Sequence, residues 1–292
     1  MAVSAETIEP PVEPLPAYPV SSVAAARLAA DDPLYKGPAR VESKEQWGRV
    51  LRRLRNGGKE ACRHAGLPYV QVPEGVHDVT YGASPHGDLF FADLVASVRP
   101  LKEGERVLDF GCSTGRVIRN MAATLPIRAE GCDPRPSSIE FISGEVDNVD
   151  WFVSDETPPL PRPDDHYDVV FAVSVWSHFA EGAALAWFAE MARVVRPGGE
   201  LLFSTHGERS VWFYETVKKT MPAAKARERR EALAAGRLHF GRGRQKDLNA
   251  DWGVAYIPRR WLEENLADDW RVRFFGSGMA KGNQDVYALQ RT

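Results

Sequence analysis

Five residues near the middle of the chain have the types and spacing of a ligand site: Asp109, Gly111, Ser113, Gly115 and Asp133. The first four lie in RVLDFGCSTGR, Arg106 to Arg116, where an apolar segment ends in an acid and runs into small residues. Small residues let a backbone approach a ligand closely, and a helix that opens just after them offers free N–H groups. Asp133 closes the next apolar segment, AEGCDP, about 20 residues beyond Gly111, where a carboxylate can accept both hydroxyls of a ribose. The loop reads G-x-S-x-G, not the G-x-G-x-x-G of nicotinamide cofactors. An acid two residues before the first glycine sits badly beside a pyrophosphate and well beside an ammonium group. Ribose, ammonium and sulfonium together describe S-adenosylmethionine, and an NAD-dependent oxidoreductase is disfavoured on the same residues.

Those residues need a frame. From Arg106 onward, short apolar segments alternate with amphipathic ones: strands are expected at 106–110, 127–132, 149–153, 167–173 and 199–204, helices near 115–125, 136–144 and 180–195. This alternation specifies a parallel sheet with helices on both faces, which binds ligands at the carboxyl ends of its strands. A helix near 258–267 and the strand-like RVRFF and DVYALQ close the chain. Upstream, Ser43 and Gln46 form a capping-box pattern before the apolar face Trp47, Val50, Leu51 and Leu54, and Asn56-Gly57-Gly58 stops that helix. A short helix from Lys59 to about Ala65 and a third from about Asp88 to Val98 follow. The organisation expected is a flexible Pro/Ala-rich arm over 1–40, a helical extension over 41–100 and a catalytic domain over 101–292.

VLDFGCSTGR resembles the first motif of the class I SAM-dependent methyltransferases, and GCDPRPSSIEF resembles their ribose-binding acidic loop. WFVSDETPPLPRPDDHYDVVFAVSVWSHF is similar to their adenine-side strand and fourth strand, and WFAEMARVVRPGGELLFSTHG to the helix, turn and fifth strand. GNQDVYALQR resembles the last antiparallel strand of many members. The resemblance implies a Rossmann-like, seven-stranded, mostly parallel sheet with helices on both faces, here with an N-terminal helical extension. It implies that Asp109, Gly111, Cys112, Ser113 and Gly115 cradle the methionine part, that Asp133 holds the ribose hydroxyls and that Pro134 or Arg135 flanks the adenine. Asp155 and Glu156 match the contacts to the adenine amino group, and Val173 and Ser174 face the sulfonium and its methyl. Ser113 departs from the glycine that many members have there.

Methyl transfer to a hydroxyl also needs a base. His206, in FSTHG, and His178, in SVWSHF, follow the fifth and fourth strands and are the catalytic candidates; His77, His86, His166 and His239 read as surface or preface residues. The segment at about 208–255 is expected to be an inserted lid. From Lys218 to Lys246 its basic residues face only Glu228 and Glu231, a pattern that suits an anionic acceptor if KARERREALAAGR forms a helix with one basic face. Trp176, Trp212, Arg242 and Arg244 are its candidate substrate contacts. No clustered acids follow the fourth or fifth strand, so no metal is expected. The net charge of −3, the lack of stacking aromatics in the basic run and the lack of a long apolar run argue against nucleic acid and membrane insertion. Three cysteines without metal spacing, and an acidic, proline-rich start unlike a signal peptide, fit a cytoplasmic protein. The function expected is O-methylation of a small-molecule or glycan-type hydroxyl; N-methylation and a catalytically idle SAM-binding scaffold are the alternatives.

Overall fold

The computed structural model describes residues 15–76, 84–242 and 250–292. Its main sheet has seven strands in the order β3-β2-β1-β4-β5-β9-β8, formed by β1 (Arg106–Phe110), β2 (Arg128–Asp133), β3 (Asp150–Val153), β4 (Tyr167–Ala172), β5 (Val195–Thr205), β8 (Trp270–Ala280) and β9 (Gln284–Arg291). A separate two-stranded sheet pairs β6 (His239–Arg242) with β7 (Gly253–Tyr256). The chain divides into two compact units.

The first unit comprises Leu15–Val173 with Arg193–Gly199. β1 runs parallel to β2 on one side and to β4 on the other, with Asp109 level with Gly131 and Phe171. β2 runs parallel to β3, which puts Asp133 level with Val153. Val107, Leu108, Val169, Val170 and Phe171 are wholly buried, as strands covered on both faces must be. The connecting helices are α4 (Ile118–Thr124) and α5 (Pro136–Ser143).

The helical extension contains α2 (Lys44–Ala65) and α3 (Leu89–Val98). Ser43 accepts from the Gln46 N–H as expected, and Gly58, at φ 53° and ψ −133°, breaks α2 where the Asn-Gly-Gly stop was read. The flexible-arm expectation is corrected over Pro19–Asp31, which forms α1. Its Val20, Ala24, Ala25 and Leu28 are wholly buried. Asp93 of α3 accepts from the Ser21 N–H at 3.0 Å and the Ser21 hydroxyl at 2.5 Å, so a distant side chain caps the first turn. Arg27 donates to the Ala123 carbonyl of α4 at 3.0 Å.

The second unit comprises Ser174–Ala192 with Glu200–Thr292. Residues 200–205 of β5 pair antiparallel with β9, and β9 pairs antiparallel with β8. Most of α6 (Glu181–Val194) belongs here and brings Phe188 to an aromatic core. The segment expected as a lid holds α7 (Glu208–Trp212), a π-helical turn (Phe213–Val217), α8 (Ala223–Ala234), β6 and β7; α9 (Arg259–Asn265) follows. Lys225, Arg227, Arg229 and Arg230 spread over more than half of the circumference of α8, with Arg229 on the side of the buried Ala226 and Leu233, so the basic residues do not form one narrow face. Among the described residues no helix is long and apolar enough to cross a membrane.

Candidate active site

In the first unit the loop after β1 turns on three left-handed residues, Gly111 (φ 75°), Ser113 (φ 52°) and Gly115 (φ 63°). The Gly111 and Cys112 N–H groups both donate to the Cys132 carbonyl at 2.9 Å, which ties the loop to the end of β2. Asp133 then braces the loop with its side chain: Oδ2 accepts from the Ser113 N–H at 2.8 Å and Oδ1 from the Arg135 N–H at 3.0 Å. A serine at φ 52° costs about 1–2 kcal/mol that glycine avoids, which gives a physical meaning to the departure from the family pattern.

Gly115 corrects a simpler idea about the loop. A Cβ built there would stand 2.3 Å from the Trp151 ring, and one at Gly131 would stand 2.5 Å from the same ring. The indole of β3 occupies that space, held by its Nε1–H on the Val146 carbonyl at 2.8 Å, so this glycine serves internal packing.

Asp109 is buried, and that burial pushes its carboxyl up to about 8. The Ile118 N–H and the Arg116 charge pull the other way, and Asp133 adds to the rise. Asp155 and Glu156 are exposed after β3, Pro134 is exposed after β2, and Val173, half-buried, ends the first unit just after β4.

In the second unit both candidate histidines are held by one strand. The backbone of Asp251–Tyr256 lies along residues 177–180: the Gly253 N–H donates to the His178 carbonyl at 2.7 Å and the Ala255 N–H to the Ser177 carbonyl at 2.8 Å. Two carbonyls of the same strand fix the rings, with His178 Nδ1 at 2.7 Å from Gly253 O and His206 Nδ1 at 3.2 Å from Ala255 O. Each histidine must therefore carry its proton on Nδ1, and the lone pair stands on Nε2.

The two lone pairs differ in use. The His206 Nε2 accepts from the Gln284 amide at 3.3 Å. The Gln284 carbonyl oxygen in turn accepts from the Ser174 and Ser204 hydroxyls, both at 2.8 Å, and Ser204 Oγ accepts from the Ser174 N–H at 2.9 Å. His206 is buried, and burial pushes its imidazole down to about 4. His178 is half-buried and stacks on Trp252 with ring centroids 4.7 Å apart. Its Nε2 has no partner among the described residues, and burial lowers its pKa below the usual histidine value.

A family profile described as a methyltransferase domain matches residues 86–271. The chain belongs to the class I SAM-dependent methyltransferases. The chain is 31% identical over 116 residues to 27-O-demethylrifamycin SV methyltransferase of Amycolatopsis mediterranei, a match over 37% of this chain and 41% of that protein. It is 35% identical over 102 residues to malonyl-[acyl-carrier protein] O-methyltransferase of Hahella chejuensis, over 34% and 36% of the two. Probable tRNA methyltransferase 9B of Bos taurus is 29% identical over 136 residues, over 44% and 28%. The chain thus spans less than half the length of each of these relatives.

The first unit of this methyltransferase fits the cofactor of its family. Asp109 is a buried carboxyl group whose ionised form Arg116 already favours, and a ligand ammonium would favour it further. Asp133 is already oriented by two backbone donors, as a ribose-binding acid should be. The acceptor-side expectations fare unevenly. Trp176, expected to line the substrate lid, is wholly buried against Phe188 (4.7 Å), Phe203 (5.3 Å) and Phe179 (6.0 Å), so it is core filling. Trp212 is half-buried under the Arg209 guanidinium, 4.0 Å from its ring. Arg242 is exposed, and Arg244 and His77 lie outside the described residues. His86, read as a surface or preface residue, is buried and hydrogen-bonded to Ser84. Sequence reasoning missed Trp151, Gln284 and the Gly253 and Ala255 carbonyls. None of these has a motif, because each acts through a packing or backbone contact that only the fold creates.

Proposed function

We propose that this methyltransferase transfers the methyl group of S-adenosylmethionine to a hydroxyl oxygen of a small-molecule or glycan-type acceptor, with His178 as the base. When bound, S-adenosylmethionine supplies a methyl group on a sulfonium, which an oxygen nucleophile takes by in-line displacement to leave S-adenosylhomocysteine. Asp109 would hold the ammonium, Asp133 the ribose hydroxyls, and the exposed Asp155, with Glu156, the adenine amino group. His178 Nε2 would take the hydroxyl proton as the oxygen–carbon bond forms. The observation that carries the reading is the His178 ring, fixed by Gly253 as the Nδ1–H tautomer with its Nε2 lone pair uncommitted among the described residues. His206, although also expected to be catalytic, spends both ring nitrogens inside the chain, so we assign it a positioning role through Gln284 and Ser174. Two of the relatives are named for methylation at oxygen, which supports an oxygen acceptor over a nitrogen one.

The test is formation of S-adenosylhomocysteine with a panel of hydroxyl compounds, with amines and a tRNA pool as comparison arms. His178→Gln should lower kcat by about 100-fold, the usual scale for a general base, while the affinity for S-adenosylhomocysteine stays unchanged. Because burial lowers the His178 pKa, the acid limb of kcat/KM should lie below pH 6.5 and vanish in the variant. A limb that persists in His178→Gln would refute the assignment, and turnover confined to amines or tRNA would refute the acceptor.

A further inference from the structure

Helix α8 carries a half-buried arginine on the same side as its buried residues. Ala226, Arg229 and Leu233 recur at spacings of three and four, which puts them on one side of the helix. Ala226 and Leu233 pack in a buried cluster with Val211 and Tyr256, so this side faces inward and the helix is held in place. Arg229 stands between them with its guanidinium over the Tyr256 ring, 5.0 Å from the centroid. Its Nη1 donates to the Lys225 carbonyl one turn back, at 3.2 Å, and its Nε is buried without a hydrogen-bond partner among the described residues. Its neighbour Arg230 is ion-paired with Glu215; Arg229 has no such carboxylate among the described residues.

A second group with unmet capacity flanks the same tyrosine. His239 is level with Tyr256 across the β6–β7 pair, with ring centroids 6.1 Å apart. Its side chain, read from sequence as a surface group, is only 14% exposed. Nε2 lies 3.3 Å from Glu228 Oε1, and Nδ1 is buried with no partner among the described residues. On the other side of Tyr256 stands His206, 5.1 Å away, with Tyr214 a further 5.8 Å on.

Arg229 is half-buried, and its buried Nε–H is left without an acceptor, a cost that a bound anion would remove. One planar fork suits one carboxylate held by two parallel hydrogen bonds, whereas a phosphate dianion calls for more than a single cation. The aromatic surroundings suit an apolar body attached to the acid. We propose that Arg229 anchors the carboxylate of the methyl acceptor, so that the substrate class is a hydroxy acid with an aromatic or aliphatic body. This rests on the proposed methyl transfer to a hydroxyl with His178 as the base.

The test separates the two ideas. The full chain, saturated with S-adenosylhomocysteine, is titrated calorimetrically with benzoate and with its neutral isostere benzamide. Neither can accept a methyl group at a hydroxyl, so binding is read apart from turnover. Benzoate should bind at least about tenfold more tightly than benzamide, Arg229→Gln should erase the difference, and Arg229→Lys should keep part of it. Arg259→Gln, at an exposed arginine paired with Glu263, should change nothing. Equal affinities, no benzoate binding, or a preference that survives Arg229→Gln would overturn the anchor. Should Arg229→Gln fail to fold, the wild-type preference and its reduction in Arg229→Lys still decide. A companion assay offers 4-hydroxybenzoate and other hydroxy acids with S-adenosylmethionine. Benzoate binding without any S-adenosylhomocysteine formation would leave the anchor standing and overturn the methyl-transfer reading. Turnover of neutral hydroxyl compounds alone, unchanged in Arg229→Gln, would do the reverse.

Discussion

Asp109, one residue before the end of β1, is a carboxyl that burial would keep neutral, and in the proposed site it meets the ammonium of the cofactor. The two facts make a measurable link. With its pKa pushed up to about 8 the free protein holds a proton there at pH 7, and an ammonium beside it would favour the ionised form. Binding of S-adenosylhomocysteine should therefore release about one proton at pH 7 and almost none at pH 9. Calorimetry in buffers of different ionisation heats measures this directly, and an enthalpy independent of buffer would rule out the Asp109–ammonium pair. Ser113 gives a second prediction at this scale. Glycine at φ 52° removes steric strain, partly offset by a more flexible unfolded chain. Ser113→Gly should stabilise the protein by about 0.5–1 kcal/mol in denaturant unfolding, without loss of affinity for S-adenosylhomocysteine. Destabilisation would mean that the hydroxyl contributes a contact worth more than the strain.

Elements show where a sequence is informative and where it is not. β1 to β5 were legible because buried parallel strands must be apolar throughout, and the loop after β1 because left-handed turns select small residues. α1 was not legible. Its buried side, Val20, Ser21, Ala24, Ala25 and Leu28, is mostly small residues, and the proline-rich approach suggests an arm; the cap that fixes it, Asp93, lies 72 residues away in the chain. The histidine pair was visible as residues, but the difference between them was not. It depends on β7 carbonyls and on Gln284 of β9, which reach the rings only through tertiary pairing. At Gly115 the need for space is legible in the residue type, but the Trp151 indole that takes up that space is not. Gly115→Ala puts a methyl against Trp151 at a left-handed position, so unfolding should show a loss of about 2–3 kcal/mol. Trp151→Leu in the same background should recover part of it. If Gly115→Ala instead lowers cofactor affinity at unchanged stability, the ligand and not the indole needs the space.

At the scale of the whole molecule, buried titratable groups set how stability depends on pH. Asp93 and Asp285 are pushed up to about 7 and Asp109 to about 8, each chiefly by burial. In the unfolded chain these carboxyls lose their protons near pH 4, so above that the folded state holds more protons and stability falls as pH rises, until the folded pKa values are passed. Three histidines act in the opposite sense. His86, His178 and His206 have lowered pKa values, His206 down to about 4, so the unfolded chain binds more protons below about pH 6.5 and stability rises with pH there. The two groups offset each other between about pH 4.5 and 6.5, and only the carboxyls act from about 6.5 to 8. Asp32, Glu105, Glu130 and Asp168, all held low with arginine partners, add stability that disappears only as acid protonates them. The melting temperature should therefore be level from about pH 5 to 6.5 and decline towards pH 8. Asp93→Asn should make that decline shallower, because one of its three sources is gone. Saturating S-adenosylhomocysteine should do the same through Asp109, since a bound ammonium removes the penalty of ionising it. A melting temperature that rises from pH 6.5 to 8 would show that these carboxyls are ionised in the free fold, and with it the proton release on cofactor binding would be lost.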